Sequence, residues 1–210
     1  MKIESFSLGN KYYPNEDRLS ILELGKYGAV AVLADGMGGL SLGDIAAEVV
    51  VETASSYIEN NHQETDKQAL LHKALDFADN ELRNVSIANK SKMGAAIAVA
   101  IIIEQHLFCS WLGNVRIYIM HNNQLSLITI DHVANIGYGN SALTRCIKGA
   151  GLRDDIPFAD YKLAEGDEIF ICSDGLYNIA EEEFSKSSIE KIKTDIGLPE
   201  DDASLIKVII

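Results

Sequence analysis

The sequence predicts an α+β fold built in layers, on three observations. Two long amphipathic segments follow one another directly, so helices are grouped rather than alternating singly with strands. Four strand-like runs between residues 95 and 129 are joined by turns short enough for an antiparallel meander. Two apolar runs, residues 31–34 and 169–172, read as buried strands, and each runs into an Asp-Gly step, Asp35-Gly36 and Asp174-Gly175. A chain of 210 residues suits one domain with a sizeable core.

In order, a strand is expected over residues 3–8, then a polar loop carrying Asn15-Glu16-Asp17, then strands over 19–24 and 29–34. A helix is expected over 42–60, where Ile45, Val49, Thr53 and Tyr57 form one stripe and Ala46, Val50 and Ala54 the next. A second, over 66–85, repeats the pattern with Leu70, Ala74, Phe77, Ala78 and Leu82. Strands follow at 95–103, 107–112, 115–120 and 125–129. An irregular glycine-rich stretch, 135–151, precedes a short strand at 161–163 and the buried strand that ends at Asp174. A modest helix at 181–193 and a last strand at 203–210 complete the pattern.

The net charge of −13 disfavours nucleic acid or an anionic membrane as the main partner, because both call for basic patches. The longest apolar stretch, 93–103, is too short to span a bilayer and reads as a core strand, and the first residues lack the pattern of a secretory signal. Cys109, Cys146 and Cys172 show neither paired nor zinc-type spacing; Cys109 and Cys172 are read as small buried hydrophobes, which suits a reducing cytoplasm.

The two Asp-Gly steps carry the chemistry. A carboxylate where a strand leaves its sheet is held rigidly yet can face a cleft. The glycine after it allows a sharp turn and close approach to the backbone carbonyl. Two such carboxylates converging from separate strands suit a hard divalent cation such as Mg²⁺ or Mn²⁺.

Further blocks stand in a fixed order with these: Asn15-Glu16-Asp17, Asp35-Gly36-Met37-Gly38-Gly39, Gly113-Asn114-Val115-Arg116, Asp131-His132, Leu143-Thr144-Arg145, Gly166-Asp167, Ser173-Asp174-Gly175 and Asp201-Asp202-Ala203-Ser204. Together they resemble the bacterial metal-dependent PP2C (PPM) serine/threonine phosphatases, almost end to end. The resemblance implies one domain over 1–210, folded as a four-layer αββα sandwich with two central antiparallel sheets. It implies Asp35 as a carboxylate shared by two metal ions, Mn²⁺ or Mg²⁺, with the Gly36 carbonyl on one of them. Asp174 and Asp201 would complete the first ion's shell, and Asp17 with Glu16 would act at the second through water. Phosphoserine or phosphothreonine in a protein would then be hydrolysed by a metal-bridging hydroxide. A cognate serine/threonine kinase is the implied counterpart.

Three departures shape the expectation. Asn114 stands where the family usually has an aspartate that helps hold a third ion, so a third site should be weak or absent. Tyr12 stands where bacterial members carry an arginine that clamps the substrate phosphate. The neighbouring Lys11 supplies charge without the planar fork, which predicts weaker phosphate binding. Residues 133–143 are short for the flap that lies beside the site in relatives, leaving a more open cleft. These departures leave an alternative, a weak or inactive regulatory protein that binds a phosphoprotein or kinase. The intact carboxylates Asp35, Asp174 and Asp201 favour the enzyme. His132, Thr144 and Arg145 are read as packing or hydrogen-bonding residues, the other four histidines as surface, and Tyr12-Tyr13 as an ordinary aromatic pair.

Overall fold

Two five-stranded antiparallel sheets stack face to face in the computed structural model, with a pair of helices outside each. It describes all residues except 26–27, 38–41, 138–139 and 153–154. The strands are β1 (Lys2–Leu8), β2 (Asp17–Glu23), β3 (Gly28–Gly36), β4 (Ala95–Ile103), β5 (His106–Leu112), β6 (Arg116–His121), β7 (Gln124–Leu127), β8 (Val133–Gly137), β9 (Asn140–Leu143), β10 (Phe158–Lys162), β11 (Glu168–Cys172) and β12 (Ala203–Ile209). The helices are α1 (Gly43–Asn61), α2 (Lys67–Asn89), α3 (Asp174–Ala180) and α4 (Ile189–Ile196). One sheet runs β10-β5-β4-β3-β2, the other β1-β12-β11-β6-β7, and β8-β9 form a separate hairpin.

Side-chain alternation assigns each strand's two faces to different layers. From β3, Ala31 and Leu33 point between the sheets, while Val30, Val32 and Ala34 pack under α1 and α2. From β11, Ile169 and Ile171 meet them across the sandwich, while Phe170 and Cys172 pack against α3 and α4. Both faces are covered, which is why these strands read as unbroken apolar runs. The layers are therefore αββα, as the resemblance implied.

Several elements depart from expectation. Within 133–143, expected as a short irregular flap, Val133–Gly137 and Asn140–Leu143 pair as the antiparallel strands β8 and β9, with a register shift between Asn135 and Gly137. The single helix expected over 181–193 is instead a 3-10 turn at Glu181–Glu183 followed by α4, and α3 before them was not expected. Ser188 starts α4 by accepting a hydrogen bond from the Lys191 N–H. Phe77, expected on the buried stripe of α2, is exposed and packs in a tilted arrangement on Tyr57 of α1 at 4.6 Å between ring centres. Two residues on, a buried position belongs to Asp79, which accepts hydrogen bonds from the backbone N–H groups of Lys148, Gly149 and Gly151.

Candidate active site

The strand ends that carry the Asp-Gly steps meet at one edge of the sandwich. β2 begins at Asp17, which lies opposite Asp35 in the β2-β3 register. β11 of the other sheet ends one residue before Ser173-Asp174, and β12 begins just after Asp201-Asp202. A cleft of about 600 Å³ opens there, lined by Glu16, Asp35, Gly36, Asn114, Asp174, Asp201 and Asp202, with the β8-β9 hairpin contributing Val133 and Ser141 to Leu143.

Two close backbone approaches make this convergence possible. A Cβ on Gly36 would lie 2.1 Å from the Gly43 carbonyl oxygen, and one on Gly43 would lie 2.5 Å from Glu16 Oε1. Glycine at 36 lets the first turn of α1 close over the end of β3 against backbone, and glycine at 43 leaves room for the Glu16 carboxylate on its own N–H. On the other sheet, a Cβ on Gly175 would lie 2.2 Å from the Asp202 carbonyl oxygen. These contacts give the glycine after each aspartate its physical purpose.

Behind the cleft, hydrogen bonds fix the acidic groups. Asp202 is buried and accepts from the Asn10 N–H at 2.7 Å, the Asn10 amide at 2.8 Å and the Glu16 N–H at 2.7 Å. Ser173 Oγ donates to Asp17 Oδ2 at 2.7 Å and accepts from the Ser204 N–H at 3.0 Å. The other Asp17 oxygen, Oδ1, is buried without a partner. Asn114 donates its amide N–H to Asp174 Oδ2 at 2.8 Å. Below these, Arg116 forks onto Asp131, with Nη2 to Oδ2 at 2.8 Å, and lies 3.8 Å over the Tyr177 ring.

The carboxylates crowd one another. Burial first, then Asp17, Asp174 and Asp201, hold the Asp35 carboxyl well above the ordinary aspartate range. Burial also pushes Asp17 up to about 8, against the lowering effect of the Ser173 and Ser204 hydroxyls. Asp174 is raised by burial and by Asp201, and Glu16 by burial and by Asp202. Asp35 and Asp174 lie close enough that each bears on the other's protonation. Buried like charges resolve their repulsion by keeping protons, or by gaining a cation.

The expected site residues are thus partly brought together. Glu16, Asp35, Gly36, Asp174 and Asp201 line the cleft, and Asp17 sits behind it against Ser173. Gly38 and Gly39 lie outside the described residues. Lys11 and Tyr12 are exposed and are not among the cleft-lining residues; the Lys11 ammonium lies 4.7 Å over the Tyr12 ring. His132 accepts from the Gly113 N–H, the structural part expected of it. Sequence reasoning passed over Ser173 and Asp202 as working parts. The doubled acid at 201–202 and the hydroxyl before Asp174 were the available signals.

A family model described as Protein phosphatase 2C matches residues 10–206. A protein of Mycoplasma genitalium described as a putative protein phosphatase is 28% identical over 178 residues, covering 72% of this chain and 68% of its own length. Phosphatases named stp from Listeria also match, over only 51% of their length. The crystal structure of the serine/threonine phosphatase Stp1 from Staphylococcus aureus superposes with a TM-score of 0.85 at 21% identity, covering 100% of this chain and 94% of that one. The catalytic domain of the phosphatase PstP, solved in complex with 2 manganese ions, superposes with a TM-score of 0.71 at 19% identity, covering 98% and 96%.

Proposed function

Because the chain belongs to the protein phosphatase 2C family, we propose that it is a metal-dependent phosphatase of phosphoserine and phosphothreonine in proteins. One observation carries this reading beyond family membership: carboxylates from both sheets crowd into a single cleft. Their charge is set by burial, by one another and by neutral hydroxyl, amide and backbone donors. That donor set fits a hard divalent cation, and the orphaned Asp17 oxygen is a further acceptor in need of a partner. Asp35, the Gly36 carbonyl, Asp174 and Asp201 would hold Mn²⁺ or Mg²⁺, with Glu16 and Asp17 acting through water. Among the described residues no three His, Cys, Asp or Glu side chains are gathered tightly enough to hold an ion unaided.

When bound, two such ions would make water nucleophilic near neutral pH and offset the charge of the phosphoryl oxygens. The remaining work falls to this chain's own groups. Asn114 fixes the orientation of Asp174, and its amide leaves a third ion one carboxylate fewer. Asp202 holds the Glu16 backbone, and thereby the carboxylate that reaches the cleft. The short β8-β9 hairpin leaves the cleft open to a phosphorylated side chain on a polypeptide.

A phosphoprotein is the implied partner, with a serine/threonine kinase as its counterpart. No helix among the described residues is long and apolar enough to cross a membrane; half-buried Cys146 and buried Cys109 and Cys172, all free thiols, support a cytoplasmic setting. The test is phosphate release from a phosphothreonine peptide by chelator-stripped protein, with Mn²⁺ added back. Turnover should require Mn²⁺ and fall in Asp174→Asn by more than the ~10–100-fold that loss of an outer-shell partner costs. A protein that binds Mn²⁺ but releases no phosphate would instead be the regulatory binder.

A further inference from the structure

A second cleft, of about 640 Å³, lies where α2 ends against the loop 148–150. Arg83, Lys90, Lys92 and Lys148 line it, four of the chain's 18 basic residues in a protein of net charge −13. Arg83 is tied down, donating from Nε to the Gly149 carbonyl and pairing with buried Asp79 at 3.6 Å. Lys90, Lys92 and Lys148 are exposed and form no ion pair among the described residues. Ile87, 69% exposed, adds an apolar contact, and the Ser86 hydroxyl on the same cleft has no hydrogen-bond partner among the described residues.

The groove is built. Lys90 adopts a left-handed backbone (φ 51°) that ends α2 and sends the chain back across its last turn. Asp79 pins the opposite wall through the three N–H groups of residues 148, 149 and 151. That wall is also close to the active site along the chain. Leu143 lines the catalytic cleft and Lys148 lines the groove, so at most about 18 Å of chain separates them.

We propose that this groove docks an acidic segment of the phosphoprotein substrate, a few residues from the phosphorylated side chain. The proposal rests on the phosphatase reading. Charge complementarity supports it: an acidic segment is repelled by the protein as a whole, so a cluster of unpaired lysines gives it one favourable register. Lysines near a helix C-terminus also complement the helix dipole. That alternative accounts for Lys90, but not for Lys148, which comes from another segment.

The test uses phosphothreonine peptides with a six-residue neutral spacer and then four glutamates or four glutamines, the tail placed on either side. With Mn²⁺ at low salt, one glutamate-tailed peptide should show a KM several-fold lower than its glutamine twin, with kcat unchanged. The advantage should vanish in Lys90→Gln/Lys92→Gln/Lys148→Gln, which should turn over the glutamine-tailed peptides as before, and the twins should likewise become equal to each other at 0.5 M salt. Equal KM values for the twins in the unsubstituted protein would overturn the proposal. If no peptide is hydrolysed, the phosphatase reading fails separately. The groove is then judged by fluorescence anisotropy of the labelled, unphosphorylated glutamate-tailed peptide, where loss of binding in the triple variant supports it and no binding by the unsubstituted protein overturns it. Lysine-dependent binding to phosphatidylserine vesicles without binding to the peptide would also overturn it, in favour of a membrane surface.

Discussion

Asp17 and Asp35 keep their protons to higher pH in the folded, metal-free protein than in an unfolded chain, because burial and neighbouring carboxylates disfavour their charge. Between the ordinary aspartate value, near 4, and about 8 for Asp17, the folded state therefore binds more protons than the unfolded one. The stabilisation is complete below pH 4 and is lost as pH rises through that window. Scanning fluorimetry of chelator-treated protein should show a lower Tm at pH 8 than at pH 5, with a shallower fall in Asp17→Asn. Mn²⁺ at pH 8 should raise the Tm again, since a ligand that binds only the folded state stabilises it. Asn114 sets a related expectation. Its amide donates to Asp174, and Asn114→Asp would replace that donor with a like charge. The variant should be less stable without metal, yet show a several-fold higher kcat at saturating Mn²⁺, seen as a second phase when turnover is titrated with the ion.

The α2 helix shows how an element serves the site from a distance. Asp79 occupies a buried position and organises the loop behind β9 through three backbone N–H groups. Asp79→Ala leaves those donors without their carboxylate, and should cost roughly 2–3 kcal/mol, read as a lower urea midpoint at unchanged m. Elements with a strong period were plain from the sequence: β3, β4 and β11 as apolar runs, α1 and α2 as stripes. Asp79 was hidden because periodicity registers where a side chain points and not what it bonds, and the aromatic Phe77 drew the stripe two positions away. The α3–α4 break was equally hidden, since Ser188 as a cap and the turn at 181–183 carry little pattern. The β8-β9 hairpin is fully exposed on β8 and glycine-broken, so it lacks the alternation that marks a half-buried strand. At the site, Asp35 and Asp174 were legible from strand ends and Gly36 from its step. Their hydrogen-bonded supports, Ser173 and Asp202, depend on contacts between segments far apart in sequence.

At the scale of the whole molecule, a protein of net charge −13 hydrolysing a dianionic phosphate works against its own field. Screening should therefore help. For a phosphopeptide with neutral flanks, kcat/KM should rise modestly between 0.05 and 0.3 M NaCl, by about two-fold, as the Debye length shrinks. A fall over that range would mean that local positive potential at the cleft outweighs the overall charge. The pairing of Asp35 from one sheet with Asp174 from the other has a further consequence. Neither half of the sandwich carries the cleft alone, so its chemistry comes into being only once the two sheets have packed together. A divalent ion seated there would act as a clasp across the seam between the sheets, holding the folded molecule in preference to the unfolded one. Metal supply would then govern how long the molecule survives as well as how fast it works.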